Sequence, residues 1–317
     1  MCRFIAYKGK PILLNEVLHE PKNSLIRQSS NAHEAEEPLN GDGFGLGWYL
    51  PEIDPEPGLF VSVRPAWNDR NLRYLCQKLL TGCFFAHVRA ASAGEVSEAN
   101  CHPFHFKDYL FMHNGGLGEF NKIKRQLRRR LSDEIYDWIR GQTDSEHLFA
   151  LFLENLKNRD GKPTSHDIAN TLEATIREIQ EMKKEAGVSE ACYINCVVTN
   201  GDVMVGVRYV SDLNEVASTL YYSEGNHFEC KDGLCRMRPG DPSEHAVLIV
   251  SEKLTSQLSD WKEIPTNFFC IVDERKKAHL RPVDDGQGQG QTESKLTQGG
   301  GASRRAGFRP SIAKGQI

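Results

Sequence analysis

The chain has 317 residues, a formal net charge of -4 and 39% hydrophobic residues, enough for one large core or two ordinary ones. That charge balance gives no electrostatic footprint for nucleic acid or for an anionic membrane. No apolar run approaches the roughly 20 residues of a membrane helix; Ala246–Val250 is typical of the longest.

Taken in chain order, Arg3–Tyr7 predicts a first strand directly after Met1-Cys2. In Asn40-Gly41-Asp42-Gly43-Phe44-Gly45-Leu46-Gly47-Trp48, glycines alternate with large apolar residues. A dinucleotide loop would open a helix here. The alternation instead predicts a strand, Phe44–Leu50, whose glycines let another backbone come close. Leu59–Val63 and Cys83–Ala91 follow as strands. In the second of these, Phe84, Ala86, Val88 and Ala90 fall on one side and His87 and Arg89 on the other. Tyr109–Met112 predicts a further strand.

Helices fill the middle. Ser145–Leu156 places Leu148, Phe149, Phe152 and Leu156 on one face, and Thr143 with Glu146 fits a capping box. His166–Ala186 has Ile168, Leu172, Ile176, Ile179 and Met182 at helical spacing, and Gly187 stops it. Cys192–Thr199 and Val203–Tyr209 then flank Asn200-Gly201, the signal of a type I′ hairpin turn. Thr219–Ser223, Ala246–Ser251 and Phe268–Val272 complete the strands. Strands, then helices, then strands predict an α+β layered fold rather than a parallel sheet wound by crossover helices. The folded domain is expected over residues 2–282. Residues 283–317, with eight glycines and five glutamines from Asp285 onward, predict a disordered Gly/Gln-rich tail.

Nine scattered cysteines, an odd number, and no recognisable signal peptide predict mostly buried thiols in a reducing cytoplasm. Cys101, His102, His105 and His113, with Cys230 and Cys235, invite a zinc reading, but their spacing fits no standard ligand pair, so no metal and no other cofactor is expected. Lys122, Lys124, Arg125 and the run Gln126–Arg130 read as a solvated helix face on an acidic chain.

Four short features carry possible chemistry. Cys2 could become the N-terminal residue by trimming of Met1, and an α-amine, with an ordinary pKa of about 7.7–8.0, can take a thiol proton at neutral pH. By itself Met-Cys fits a small buried residue equally well. His87-Val88-Arg89-Ala90-Ala91-Ser92 offers an arginine able to clamp a carboxylate with two parallel hydrogen bonds, or an ordinary surface arginine. His113-Asn114-Gly115-Gly116 offers a side-chain amide and a backbone N–H to a developing oxyanion, or a plain turn. Thr143-Asp144-Ser145-Glu146 sets an acid at a helix start, where Asp144 could be only a cap.

Together and in this order, Met1–Arg3, Asn40–Gly45, His87–Ala90, Asn100–Phe104 and Thr143–Glu146 resemble the class II glutamine amidotransferases, members of the N-terminal-nucleophile hydrolases. The resemblance spans about residues 2–275. It is closest to the stand-alone branch, which includes the γ-glutamyl hydrolase of ergothioneine synthesis. It implies a four-layer αββα sandwich of two mainly antiparallel sheets. It also implies Cys2 as nucleophile with its own amine as base, and an oxyanion hole of Asn114 and Gly115. Arg89 would hold the α-carboxylate of glutamine or a γ-glutamyl substrate, Asp144 would hold its α-ammonium, and Ser92 would make a further substrate contact. Ala93 stands where synthase-type members often have histidine. No acceptor domain follows the amidohydrolase-like part. The function implied is therefore a stand-alone hydrolase of glutamine or a γ-glutamyl amide through a thioester. The alternatives are a glutaminase subunit feeding ammonia to a separate synthase, and a silent binding protein on the same fold. A homo-oligomer is compatible with each; nucleic-acid and membrane partners are not expected.

Overall fold

The computed structural model describes residues 2–34, 38–91, 94–157, 161–231, 234–239 and 244–286. The first half of the chain contains β1 (Arg3–Leu13), α1 (Leu14–Leu18), α2 (Leu25–Ser30), β2 (Phe44–Leu50), β3 (Asp54–Ser62), α3 (Arg70–Cys76), β4 (Leu80–Val88), β5 (Phe104–Phe106), β6 (Tyr109–Leu117), α4 (Phe120–Arg128), α5 (Asp133–Trp138) and α6 (Asp144–Leu156). Then come α7 (Ser165–Glu185), β7 (Cys192–Thr199), β8 (Met204–Val210), β9 (Tyr221–Gly225), β10 (His227–Lys231), β11 (Leu234–Arg238), β12 (Ala246–Val250), β13 (Lys262–Glu263), β14 (Phe268–Val272) and β15 (Ala278–Pro282).

Period-two alternation divides these strands between three apolar layers. One sheet runs β13-β9-β12-β1-β4-β2-β3 and the other β15-β14-β8-β7-β6-β5, and their paired strands are antiparallel. Phe4 and Ala6 of β1, Phe85 of β4, Leu110 and Met112 of β6, and Val247 and Ile249 of β12 share the layer between the sheets. Their neighbours along the same strands, Ile5, Tyr7, Phe84, Ala86, Val88, Leu248 and Val250, face outward with α1, α2 and α3. On the other side Phe111, Ile194, Cys196, Val205 and Val207 pack against Ile123, Leu148, Phe149, Phe152, Leu172 and Ile176 of the later helices. The order of layers is helix, sheet, sheet, helix: the αββα sandwich.

Local chemistry corrects several boundaries. The α7 helix starts at Ser165, because Thr164 and Asp167 form the capping box. Thr143 caps α6 through the Glu146 amide, but Glu146 does not return the bond; its carboxylate accepts instead from the amides of Arg140 and Gly141. The β7–β8 hairpin is present with a longer connection than a two-residue type I′ turn. Thr199 pairs with Met204, and Asn200 Oδ1 accepts the amides of Asp202 and Val203, so the asparagine side chain organises the turn. Cys230 and Cys235 are not thiols: they face each other across β10 and β11 and form a disulfide. Val283–Asp285 are joined to the body, with Val283 N donating to Asn267 O and Tyr209 Oη bonded to Asp285. The rest of the expected tail, 287–317, lies outside the described residues. Among those described, no helix is long and apolar enough to cross a membrane.

Candidate active site

Two adjoining strand ends bring Cys2 and Arg89 together, while Asn114 lies on β6 of the other sheet and Asp144 at the start of α6. Cys2 precedes Phe4 and Ala6 by the strand period, so it faces the layer between the sheets with them. Arg89 continues the Phe85–His87 side of β4, and Asn114 the Leu110–Met112 side of β6. Because β1 pairs with β4 in the register Arg3↔Val88, Cys2 and Arg89 end side by side, and Cys2 Sγ lies 3.4 Å from Ala90 O. Burial pushes the Cys2 thiol above its ordinary value, while the Arg89 and Arg3 guanidiniums pull it down. A half-buried thiol whose pKa is raised in this way needs a local base to become a nucleophile.

Asn114 is 2% exposed, and neither its Oδ1 nor its Nδ2 has a hydrogen-bond partner among the described residues. A buried amide is rarely left so, and both of its polar atoms could meet a ligand. Gly115 follows at φ +144, where a Cβ would stand 1.9 Å from Tyr193 O, so only glycine lets β6 pass β7 at this point. His113 faces the helices. Its Nδ1 is 2.8 Å from Ser145 Oγ and its Nε2 3.1 Å from Tyr193 O, which pins the strand next to Asn114 to the start of α6.

Asp144 is not the cap of α6. Its Oδ2 accepts the Leu117 amide at 2.7 Å and its Oδ1 the Ser145 amide at 2.9 Å. The half-buried carboxylate thus bridges the end of β6 and the first turn of α6, and it lines a cleft of about 580 Å3 together with Gly94, Gly115 and Gly116. Ser92, the remaining expected contact, lies outside the described residues.

The glycine-rich segment buttresses this arrangement. Asp42 N donates to Arg89 O, Arg89 N to Gly43 O, and Ala91 N to Asp42 Oδ2, fixing the chain as it leaves β4. A Cβ on Gly45 would stand 2.2 Å from His102 O, and one on Gly43 would stand 2.8 Å from Cys101 Sγ. The glycines therefore admit the Cys101–Pro103 segment against β2, the close approach expected from the sequence. His102 packs at a tilt against His87, with ring centroids 4.3 Å apart and planes 36° apart. Burial holds both rings well below the ordinary histidine value, His87 at about 3, so they stay neutral. His105 turns toward Lys107 O, away from this pair.

Sequence reasoning missed several supporting groups. Asn100 sits inside the Asn-Cys-His-Pro-Phe motif. Its Nδ2 donates to Glu95 O, which also accepts from Arg89 Nη1, and its Oδ1 accepts from Gln142 N. It ties the loop after Arg89 to the loop before Asp144. Arg3 and Glu252 form a buried ion pair at 2.7 Å, and Arg3 Nη1 donates to Cys2 O at 2.8 Å. The Met1–Arg3 motif contained half of this pair, but nothing near Glu252 in sequence marks it.

Comparison with known proteins places the chain in a family. A family model described as glutamine amidotransferases class-II matches residues 24–285. The probable glutamine amidotransferase DUG3 of Saccharomyces cerevisiae is 38% identical over 306 residues, 90% of this chain and 85% of that protein. The gamma-glutamyl-hercynylcysteine sulfoxide hydrolase of Mycolicibacterium smegmatis is 30% identical over 117 residues, 36% of this chain and 51% of its own length. A glutamine aminotransferase class-II domain protein from Silicibacter pomeroyi superposes with a TM-score of 0.62 at 26% identity, covering 89% of this chain and 98% of that one. Glutamine phosphoribosylpyrophosphate amidotransferase from B. subtilis, at 14% identity and a TM-score of 0.55 over 89% of this chain and 49% of its own, shares the fold. The chain belongs to the class II glutamine amidotransferases.

Proposed function

We propose that the protein is a stand-alone amidohydrolase that cleaves glutamine or a γ-glutamyl amide through a thioester on Cys2. What supports this reading is Cys2 beside Arg89 at the end of the β1–β4 pair, together with an Asn114 amide on β6 of the other sheet that is buried without a hydrogen-bond partner among the described residues.

In this mechanism Met1 is removed, and the freed α-amine of Cys2 takes the thiol proton. Arg89 receives the substrate α-carboxylate in a two-bond fork, and Asp144 receives the α-ammonium. Reading both charges fixes the side-chain carbonyl over Cys2. Sulfur attacks that carbon, and its oxygen becomes an oxyanion held by Asn114 Nδ2 and the Gly115 N–H. As the C–N bond breaks, the Cys2 ammonium returns its proton to the leaving nitrogen. Water then adds to the thioester carbon, the same amine takes the water's proton, and glutamate leaves as the thiol is restored.

The amine must be free, because an acylated nitrogen is an amide and accepts no proton. A protein carrying an uncleavable N-terminal extension before Cys2 should fold but not hydrolyse γ-glutamyl compounds. Mass spectrometry reports the N-terminus, and a screen of γ-glutamyl amides with Cys2→Ala as control reports activity. Full activity in a protein shown by mass to retain Met1 would overturn the amine-base mechanism.

A further inference from the structure

The basic run on α4, read from sequence as a solvated helix face, is not solvated throughout. Asn121, Lys124, Arg125 and Arg128 recur at helical spacing and share one side of α4, while Ile123 and Leu127 turn into the core. With Arg129 and with Tyr136 of α5 they line a hollow of about 440 Å3, a volume in the range of small-molecule sites.

The charge in that hollow is unbalanced. The cations flanking it are paired, Lys122 with Glu119 and Arg130 with Glu178. Lys124, Arg125, Arg128 and Arg129 have no carboxylate within 4.0 Å among the described residues. Lys124 with Arg128, and Arg125 with Arg129, stand four positions apart, where like charges repel. Nearby acids are engaged elsewhere. Glu146 acts on Lys124 and Arg128 from α6, but its oxygens accept from the amides of Arg140 and Gly141. Glu134 of α5 pairs with Lys107 and Lys157.

One of the four cations is also held in advance. Arg128 Nε donates to His147 Nε2 at 2.9 Å, and its guanidinium lies 5.5 Å from the Tyr136 ring centroid. Arginine only donates, so His147 Nε2 is the accepting nitrogen and Nδ1 gives its proton to Thr143 O at 2.7 Å. Burial, with Arg128 and Lys124 close by, holds His147 at about 4, so the ring stays neutral and keeps that lone pair. Among the described residues no acceptor meets the Arg128 Nη groups. They form the two-pronged edge that matches phosphate and carboxylate oxygens, on a side chain whose ordering has already been met.

We propose that this hollow is a binding site for a small anion of two or more negative charges, of phosphate or polycarboxylate type, held by Arg128 and Lys124 with Arg125 and Arg129 around it. Neither Cys2 nor Arg89 lines it, so the inference stands apart from the γ-glutamyl reading.

Calorimetric titration of the full chain with inorganic pyrophosphate, and separately with citrate, at fixed ionic strength tests it. At least one should bind saturably at a single site. Lys124→Gln and Arg128→Gln should each weaken that binding about 10- to 100-fold, the range of a hydrogen bond to a charged group. Lys124 is half-exposed, so its variant keeps the test open if Arg128→Gln does not fold. Lys122→Gln, which removes a paired cation, should change little, and Arg89→Ala should leave the affinity as it was. Pyrophosphate alone binding supports a phosphate ligand, and citrate alone a polycarboxylate. No saturable binding of either anion overturns the site. So does a loss in Lys122→Gln as large as that in Lys124→Gln, which would mean diffuse attraction, or a loss in Arg89→Ala, which would put the anion at that arginine.

Discussion

Glu252→Gln would test whether a buried charge holds the strand that carries Cys2. The Glu252 carboxylate accepts from four donors. Arg3 Nε at 2.7 Å and Glu34 N at 2.9 Å reach Oε1; His33 N at 3.0 Å and Asn23 Nδ2 at 3.4 Å reach Oε2. Glutamine retains a single oxygen, so its amide nitrogen would confront two donors whichever way it turned. Arg3, 1% exposed, would become a buried cation without a counter-charge. Breaking one side of a buried pair costs about 3–5 kcal/mol, a large part of the roughly 5–15 kcal/mol that holds a domain folded. The pH dependence has a definite sign. Burial alone would raise the Glu252 pKa, but the His33 and Glu34 amides and Arg3 outweigh it and hold the carboxyl below its ordinary value. Its contribution is therefore complete above the unfolded glutamate pKa of about 4.3 and is lost as pH falls through the folded value. Urea unfolding at neutral pH, repeated in steps down to about pH 3, measures both effects. The variant should be destabilised at neutral pH, and part of the acid limb should vanish. A loss under about 1 kcal/mol at neutral pH, well below the cost of breaking a buried pair, would refute the reasoning, as would an acid limb identical to the parent's.

Three further outcomes follow from the site. Asn114→Ala should leave Cys2 open to alkylation but lower kcat about 10²–10³-fold, the usual loss of one oxyanion donor; a kcat within about threefold of the parent would place the oxyanion elsewhere. Arg89→Lys should lower kcat/KM sharply for substrates with a free α-carboxylate, since a point charge cannot reproduce the planar fork, and near-normal kcat/KM would move the carboxylate clamp to another residue. Gly45→Ala, whose Cβ would meet His102 O at 2.2 Å, should cost about 1–3 kcal/mol from overpacking; an unchanged thermal midpoint in calorimetry would show that the Cys101–Pro103 segment yields freely.

What the sequence disclosed depended on length and period. The α6 and α7 helices and strands β4, β7, β8 and β12 were legible because each has enough residues to show its repeat. The short α1, α2 and α3 were not: five to seven residues barely make two turns. The buried Leu14, Val17, Leu18, Leu25, Leu72 and Cys76 reveal their apolar sides. The β1 strand continues past Tyr7 to Leu13 through an irregularity between Lys8 and Ile12, where Gly9, Lys10 and Pro11 look like a loop in sequence. The candidate residues were legible as ordered motifs, whereas their supports were matters of register and tertiary contact. Glu252 reaches Arg3 across 249 positions, and the Glu146 carboxylate turns to a loop instead of closing its box. The Cys230–Cys235 link depends on the pairing of two five-residue strands, whose alternation is too short to stand out in the sequence.

The first strand of the chain is also an interior strand of its sheet. One edge of β1 pairs with β4, but the other pairs with β12 in the register Ile5↔Val250. During synthesis, that second edge stays open until roughly 250 residues have been made, which at about 5–20 residues per second takes on the order of ten to fifty seconds. Only afterwards does Glu252 arrive to close on Arg3 beside it. Order of synthesis thus sets a sequence of assembly: the hairpin-like partnership of β1 with β4 can form early, but the sheet closes around β1 and the Arg3 charge is neutralised only after β12 has been made.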